Sequence, residues 1–286
     1  MNLFIIGAGF TRSLFPDAPL NRDLLRVLGA KSSESASALL RDRYKTEDIE
    51  IALTKLDVDV ASAQGTELRQ LRRSIENDLA EFFSKFCASE DLIAQSKWLT
   101  HLIDDVFSSG DVAVSLNYDC LLEGSLDCRG KWSPKGGYGS SIDNPLASND
   151  RTLMSPVTVL KIHGSANFVI APYLDKPTAR AVNFDFDERF FPRSARNTHF
   201  RYGAGTGSSY VIAPSYVKIP TVEISYLMLD ALTASSDAKN LIVIGSALRP
   251  EDSFLTVLVT NFLRQETWRS RKILVIDPEA DSVVSG

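Results

Sequence analysis

Leu3 to Ile6 form an apolar run with no polar alternation, and it stops at Gly7-Ala8-Gly9. Such a run, closed by glycines, predicts a strand buried on both faces that feeds a tight turn, and strands of that kind belong to parallel sheets. The same pattern returns at Asp111 to Leu116, Val157 to Ile162, Asn240 to Ile244 and Lys272 to Ile276, with a shorter strand at Tyr210 to Ala213. The text between them is helical. Asp23 to Leu28 predicts a short helix with Asn21 as its cap and Gly29 as its stop. Across residues 31–107, Ile49, Leu53, Leu56 and Val60, then Leu68, Leu71, Ile75, Leu79, Phe82 and Phe86, keep steps of three and four, and a third set runs from Leu92 to Val106. These stripes are read as core, and Trp98 and His101 with them. Two further helices are expected, one over Val222 to Ala234 and one opening at Pro250-Glu251-Asp252 with Phe254, Leu258 and Phe262.

Buried strands that end in polar or glycine turns, with helices between them, predict a Rossmann-like, doubly wound parallel sheet of the α/β class with a ligand along one edge. The whole chain, residues 1–286, reads as one domain. The helical stretch at 31–107 is too long for a simple crossover and reads as an inserted module. Residues 124–155 are rich in Gly, Ser, Asn and Pro and read as a loop without an assigned function. Residues 167–210 mix aromatics with Arg189, Arg193, Arg196 and Arg201 and show no sustained period. A lid or a small subdomain fits that segment.

Composition narrows the picture. Of 286 residues, 44% are hydrophobic and 23% charged, which is ordinary for a globular chain. The net charge of -5 and pI near 5.3 argue against nucleic-acid binding through general basicity. Cys87, Cys120 and Cys128 have neither the number nor the spacing of a disulfide framework, and no Cys-x-x-Cys pair is present to hold zinc. A reducing cytoplasm suits them. The apolar start lacks the basic flank and the length of a secretion signal, and no stretch is long enough to span a membrane.

The candidate chemistry lies at the strand ends: Gly7-Ala8-Gly9-Phe10-Thr11-Arg12, Ser115-Leu116-Asn117-Tyr118-Asp119, Lys161-Ile162-His163-Gly164-Ser165 and Ile244-Gly245-Ser246-Ala247-Leu248. Glycines let a backbone approach a phosphate, and a helix that follows them offers N–H groups to it. In this order, and with Ala213-Pro214 to Lys218 before the last two strands, the motifs resemble the sirtuin superfamily over nearly the whole chain. They are most similar to bacterial sirtuin-like domains that consume NAD in antiviral defence.

The resemblance implies an NAD glycohydrolase that releases nicotinamide and ADP-ribose, or its cyclic form. It implies that Gly7, Ala8 and Gly9, with Phe10 and Thr11, line the phosphates, and that Asn117 and Asp119 lie by the nicotinamide ribose. His163 becomes the general base, Gly245 and Ser246 approach the adenosine side, and Asp277 accepts a bond from a ribose hydroxyl. NAD is then the substrate. Breaking the nicotinamide–ribose bond passes through an oxocarbenium-like state, and because the leaving group is already cationic a base matters more than an acid. An imidazole suits that work near neutral pH.

Two departures from the family pattern bear on the substrate. The four zinc-holding cysteines of its deacetylases are absent, so no metal is expected. The phenylalanine–arginine pair that follows their glycines is replaced by Ala18-Pro19-Leu20-Asn21-Arg22-Asp23, where Arg22 is the partial substitute. Both favour hydrolysis over protein deacylation. An ADP-ribosyl or deacyl transferase, and a sensor or scaffold that binds NAD or ADP-ribose without turnover, remain alternatives. A homo-oligomer or an activating partner protein is expected as control. The site is expected to be an open cleft, in which Asn117 and His163 contribute little to stability.

Overall fold

The computed structural model describes residues 1–29, 35–62, 66–139, 155–170, 208–217, 222–249, 252–264, 270–278 and 280. Five strands form an all-parallel sheet: β1 (Asn2–Ile6), β2 (Val112–Ser115), β3 (Thr158–Lys161), β6 (Asn240–Ile244) and β7 (Lys272–Ile276). Their order is β3-β2-β1-β6-β7, a Rossmann-like α/β arrangement. β1 is the central strand. Its Leu3 stands opposite Val112 and Leu241, and its Ile6 opposite Ser115 and Ile244. Leu3, Phe4, Ile5 and Ile6 are fully buried, which is why the run carries no polar residue. Phe4 stacks on Phe107 at 4.0 Å. β7 is different. It closes one edge, and Ile273, Leu274 and Ile276 are exposed although the strand reads as apolar as the others.

The apolar residues fall into two cores. One lies on the sheet and includes Ile93, Leu99, Ile103 and Phe107, together with Ile224 and Leu227 of α10 (Val222–Asp237) and Leu258 and Phe262 of α11 (Ser253–Leu263). The other belongs to α2 (Asn21–Gly29), α3 (Ala36–Tyr44), α4 (Ile49–Ser62) and α5 (Thr66–Phe83). The stretch expected as one module therefore divides between Phe86 and Ala88. Residues from Ala88 onward, in α6 (Glu90–Gln95), α7 (Lys97–His101) and the π-helical turn Leu102–Val106, pack on the sheet.

Four expectations need correction. Asn21 is the first residue of α2 rather than its cap, and its side chain donates to Glu50 Oε1 at 2.8 Å. Trp98 is 41% exposed, and His101 is an exposed residue paired with Asp105. The stripe itself is buried, at Leu99, Leu102, Ile103 and Phe107, and Phe107 N–H closes onto Leu102 O, five residues back. Residues 124–155 are not all loop. α8 (Leu121–Asp127) is buried along its length, and α9 (Pro134–Gly137) follows, with Trp132 and Tyr138 packed edge to face at 5.0 Å. Where the segment expected as a lid or small subdomain is described, its two ends are regular, because β4 (Gly164–Ile170) pairs antiparallel with β5 (Ser208–Val211). The arginines named at 189, 193, 196 and 201, and the rest of the expected lid, lie outside the described residues.

The β4–β5 pair links the two cores. Val211, Ala213 and Tyr118 belong to the helical module's core, and the Tyr118 hydroxyl donates to Ile212 O at 2.8 Å.

Candidate functional site at the carboxyl edge of the sheet

Parallel strands deliver their carboxyl ends to one edge, and the strand order fixes the order of groups along it. From β3 to β7 that row runs His163, Asn117, Gly7, Gly245 with Ser246, and Asp277. The four sequence motifs are thus neighbours. α1 (Ala8–Leu14) starts directly after Gly7, so Ala8, Gly9, Phe10 and Thr11 occupy its first turn.

The glycines have a packing reason of their own. A Cβ on Gly7 falls 2.5 Å from Gly245 O, and one on Gly9 falls 2.7 Å from Gly245 Cα. Gly245 itself has φ of +61°, and its Cβ falls 2.3 Å from Phe10 N. The turns after β1 and β6 therefore pack backbone on backbone. Gly7 N–H donates to Ile244 O and Gly9 N–H to Gly245 O, both at 2.9 Å. These two amides are committed within the protein, while Phe10 N–H bonds Gly7 O at 3.0 Å.

Behind the glycines runs a chain of buried polar side chains. Asn117 Nδ2 donates to Gly7 O at 3.0 Å and to Thr11 Oγ1 at 3.1 Å. Thr11 Oγ1 donates onward to Asp119 Oδ2 at 2.8 Å, and Asp119 Oδ1 accepts Leu121 N–H at 3.1 Å. Both N–H groups of the Asn117 amide are used, so its carbonyl oxygen is what it has to offer a bound molecule. Burial pushes the Asp119 carboxyl up, against the pull of Lys161 and the Thr11 hydrogen bond. Asn117, Asp119 and His163 are all buried, at 8%, 3% and 8% exposure. The expected open cleft is thus a tightly bonded edge, and Asn117 is part of what joins β2 to α1.

Lys161, the one charged residue of β3, is fully buried. Its Nζ lies 3.2 Å from Glu123 Oε1 and bonds the carbonyl of Asp119, which steadies the 117–119 turn from behind. Burial raises Glu123 most, with Lys161 opposing. Tyr138 donates to the same Oε1 at 3.2 Å and accepts from Asn167 Nδ2 at 2.9 Å. A lysine inside an apolar strand was the visible sign of this partner.

His163 is held by contacts on both ring nitrogens. Nδ1 lies 3.4 Å from Leu116 O, and Nε2 lies 3.5 Å from Asp252 Oδ2. A carbonyl and a carboxylate both only accept, so the two contacts are satisfied together only when both ring nitrogens carry hydrogen, that is, in the cationic ring. Asp252 was read from the sequence only as a helix start. No local pattern ties it to a residue 89 positions earlier.

Three expected residues stand at the margin. Arg22 is exposed and lies 3.8 Å from Asp23, which Arg12 and Arg26 also approach. Ser246 is buried, and its Oγ accepts Leu248 N–H at 3.3 Å. Asp277 follows β7 at the end of the row, and its carbonyl accepts Ala280 N–H at 3.1 Å. Among the described residues no group of three or more His, Cys, Asp or Glu is arranged to hold a metal ion, and no helix is long and apolar enough to cross a membrane.

Fold and site together define a Rossmann-like α/β protein with a buried Thr–Asn–Asp–His constellation at the carboxyl edge of its sheet. No family model matches the chain. No curated protein matches it either.

Proposed function

We propose that the chain is an NAD glycohydrolase acting at this edge, a regulated effector of the kind its motifs resemble. The observation that carries the reading is the juxtaposition of Asn117 and His163 at adjacent strand ends, with Thr11 bonded to Asn117 from behind and Asp119 bonded to Thr11. Two neutral groups, an amide oxygen and an imidazole nitrogen, suit a substrate whose reacting ribose carries developing positive charge and whose departing group leaves neutral. Asn117 O holds the attacking water or a ribose hydroxyl, and His163 Nε2 receives its proton, an effect worth roughly 10² to 10⁴ in rate. Asp119 acts through Thr11 and Asn117 rather than on the substrate, since it is buried behind Thr11 and bonded to it. Arg22, Ser246 and Asp277 are assigned to the ends of the dinucleotide. The cytoplasm supplies NAD, and an activating partner or self-assembly supplies control.

The test is to incubate the purified chain with NAD, with and without an acetylated lysine peptide, and to separate the products. Nicotinamide with ADP-ribose or its cyclic form, unaffected by EDTA and with the peptide recovered intact, is the expected result. Peptide deacylation coupled to nicotinamide release would replace hydrolysis with acyl transfer. A rate per chain that rises with protein concentration would report assembly, and a fast, constant rate from nanomolar to micromolar would remove the need for an off state.

A further inference from the structure

Asp252 stands at the N-cap of α11, where Oδ1 accepts Leu255 N–H at 3.4 Å. Capping needs one oxygen, and serine or asparagine would serve as well. The second oxygen is what capping leaves unexplained. It faces His163 Nε2 at 3.5 Å, with both side chains mostly buried, at 11% and 15% exposure. Earlier in the chain, Leu248 holds φ of +46°, and Arg249 reaches Glu50 of α4 at 3.3 Å. A leucine seldom enters that left-handed region unless its surroundings hold it there.

We propose that Asp252 is a positioning residue for His163, fixing the start of α11 with one oxygen and, with the other, holding the imidazolium that forms when Nε2 takes up a proton. The inference rests on the NAD-cleavage reading. In that step an O–H bond of water breaks and its proton forms an N–H bond at Nε2. The oxygen's electron pair bonds the anomeric carbon, and the carbon–nitrogen pair leaves with neutral nicotinamide. Nothing is oxidised or reduced. The ring is then a cation in a mostly buried place, where an uncompensated charge is costly. Asn117 is neutral, and Asp119 is bonded to Thr11 and Leu121, whereas Asp252 is, among the described residues, a carboxylate in contact with the ring.

Asp252→Ser keeps a cap and removes the oxygen that faces the ring, while Asp252→Asn keeps shape and cap and removes the charge. His163→Ala is the reference, and it also assigns the His163 ring signals among the chain's three histidines. Both Asp252 variants are expected to melt within about 3 °C of the parent. They are expected to lower kcat for nicotinamide release by about 10- to 100-fold with KM little changed, as loss of alignment of a general base does. The NMR signals of the His163 ring should move while those of His101 stay. Parental kcat in both variants, with His163→Ala inactive, would overturn the proposal, as would unmoved His163 signals. If the parent releases no nicotinamide at all, the NAD reading fails by itself, and the ring signals still decide whether Asp252 holds His163.

Discussion

Gly245→Ala puts a methyl group where two turns already touch. The new Cβ falls 2.3 Å from Phe10 N, 2.5 Å from Gly9 C and 2.7 Å from Gly9 Cα, all of them backbone atoms that cannot rotate aside. The left-handed φ of +61° costs an alanine about 1–2 kcal/mol. Overpacking adds about 1–3 kcal/mol. Parting the turns also weakens the 2.9 Å bond from Gly9 N–H to Gly245 O, worth about 1 kcal/mol. The expected loss is about 3–6 kcal/mol, a large share of the total stability of a typical domain. Gly130→Ala is the matched control, because Gly130 has nearly the same φ, +65°, and nothing within 4 Å of its Cβ position. It should lose only the conformational part, about 1–2 kcal/mol. Both variants share the small gain from a stiffer unfolded chain, so the difference isolates the contact. Urea unfolding followed by circular dichroism measures both. A Gly245→Ala loss equal to that of Gly130→Ala would refute the packing of the two turns.

Asn117→Ala removes the side-chain hydrogen bonds to Gly7 O, which keeps Phe10 N–H, and to Thr11 Oγ1, which keeps Asp119, so it should cost about 1–3 kcal/mol in urea unfolding as well as activity. Lys161→Met strands the buried Glu123 carboxylate and should cost about 3–5 kcal/mol, and adding Glu123→Met should recover more than half of that loss. Burial raises Asp119 and Glu123 in the folded state, so the folded chain binds more protons than the unfolded one just above the ordinary carboxylate range. Stability contributed by these groups is therefore present at low pH and lost as pH rises through their folded values. Unfolding free energies measured from pH 4 to pH 7 should show this loss, and Glu123→Gln should flatten it.

The strands were legible because a strand buried on both faces has no room for polar alternation, as Leu3 to Ile6 and Leu241 to Ile244 demonstrate. The same rule misled on β7, whose apolar composition specifies a strand but whose edge position leaves Ile273 and Leu274 exposed. β4 was missed because Gly164-Ser165-Ala166-Asn167 is small and polar, and its partner β5 lies about forty residues on, a non-local pairing that no short window carries. Asn117, Asp119 and His163 could be picked out at strand ends, yet their bonding could not. Thr11 joins Asn117 to Asp119 across more than 100 residues, and Asp252 meets His163 only once β6 and β3 stand in one sheet. The glycines were visible as a motif, whereas their packing against Gly245 depends on two turns far apart in the chain.

Release of nicotinamide from NAD by the purified chain, compared with His163→Ala at the same folded fraction, tests the central claim most directly. Nicotinamide and ADP-ribose or its cyclic form should appear in equal amounts with the parent chain, and His163→Ala should be slower by about 100-fold or more, the loss of a general base. A parent chain that leaves NAD intact at every protein concentration, or a His163→Ala variant as fast as the parent, would contradict it.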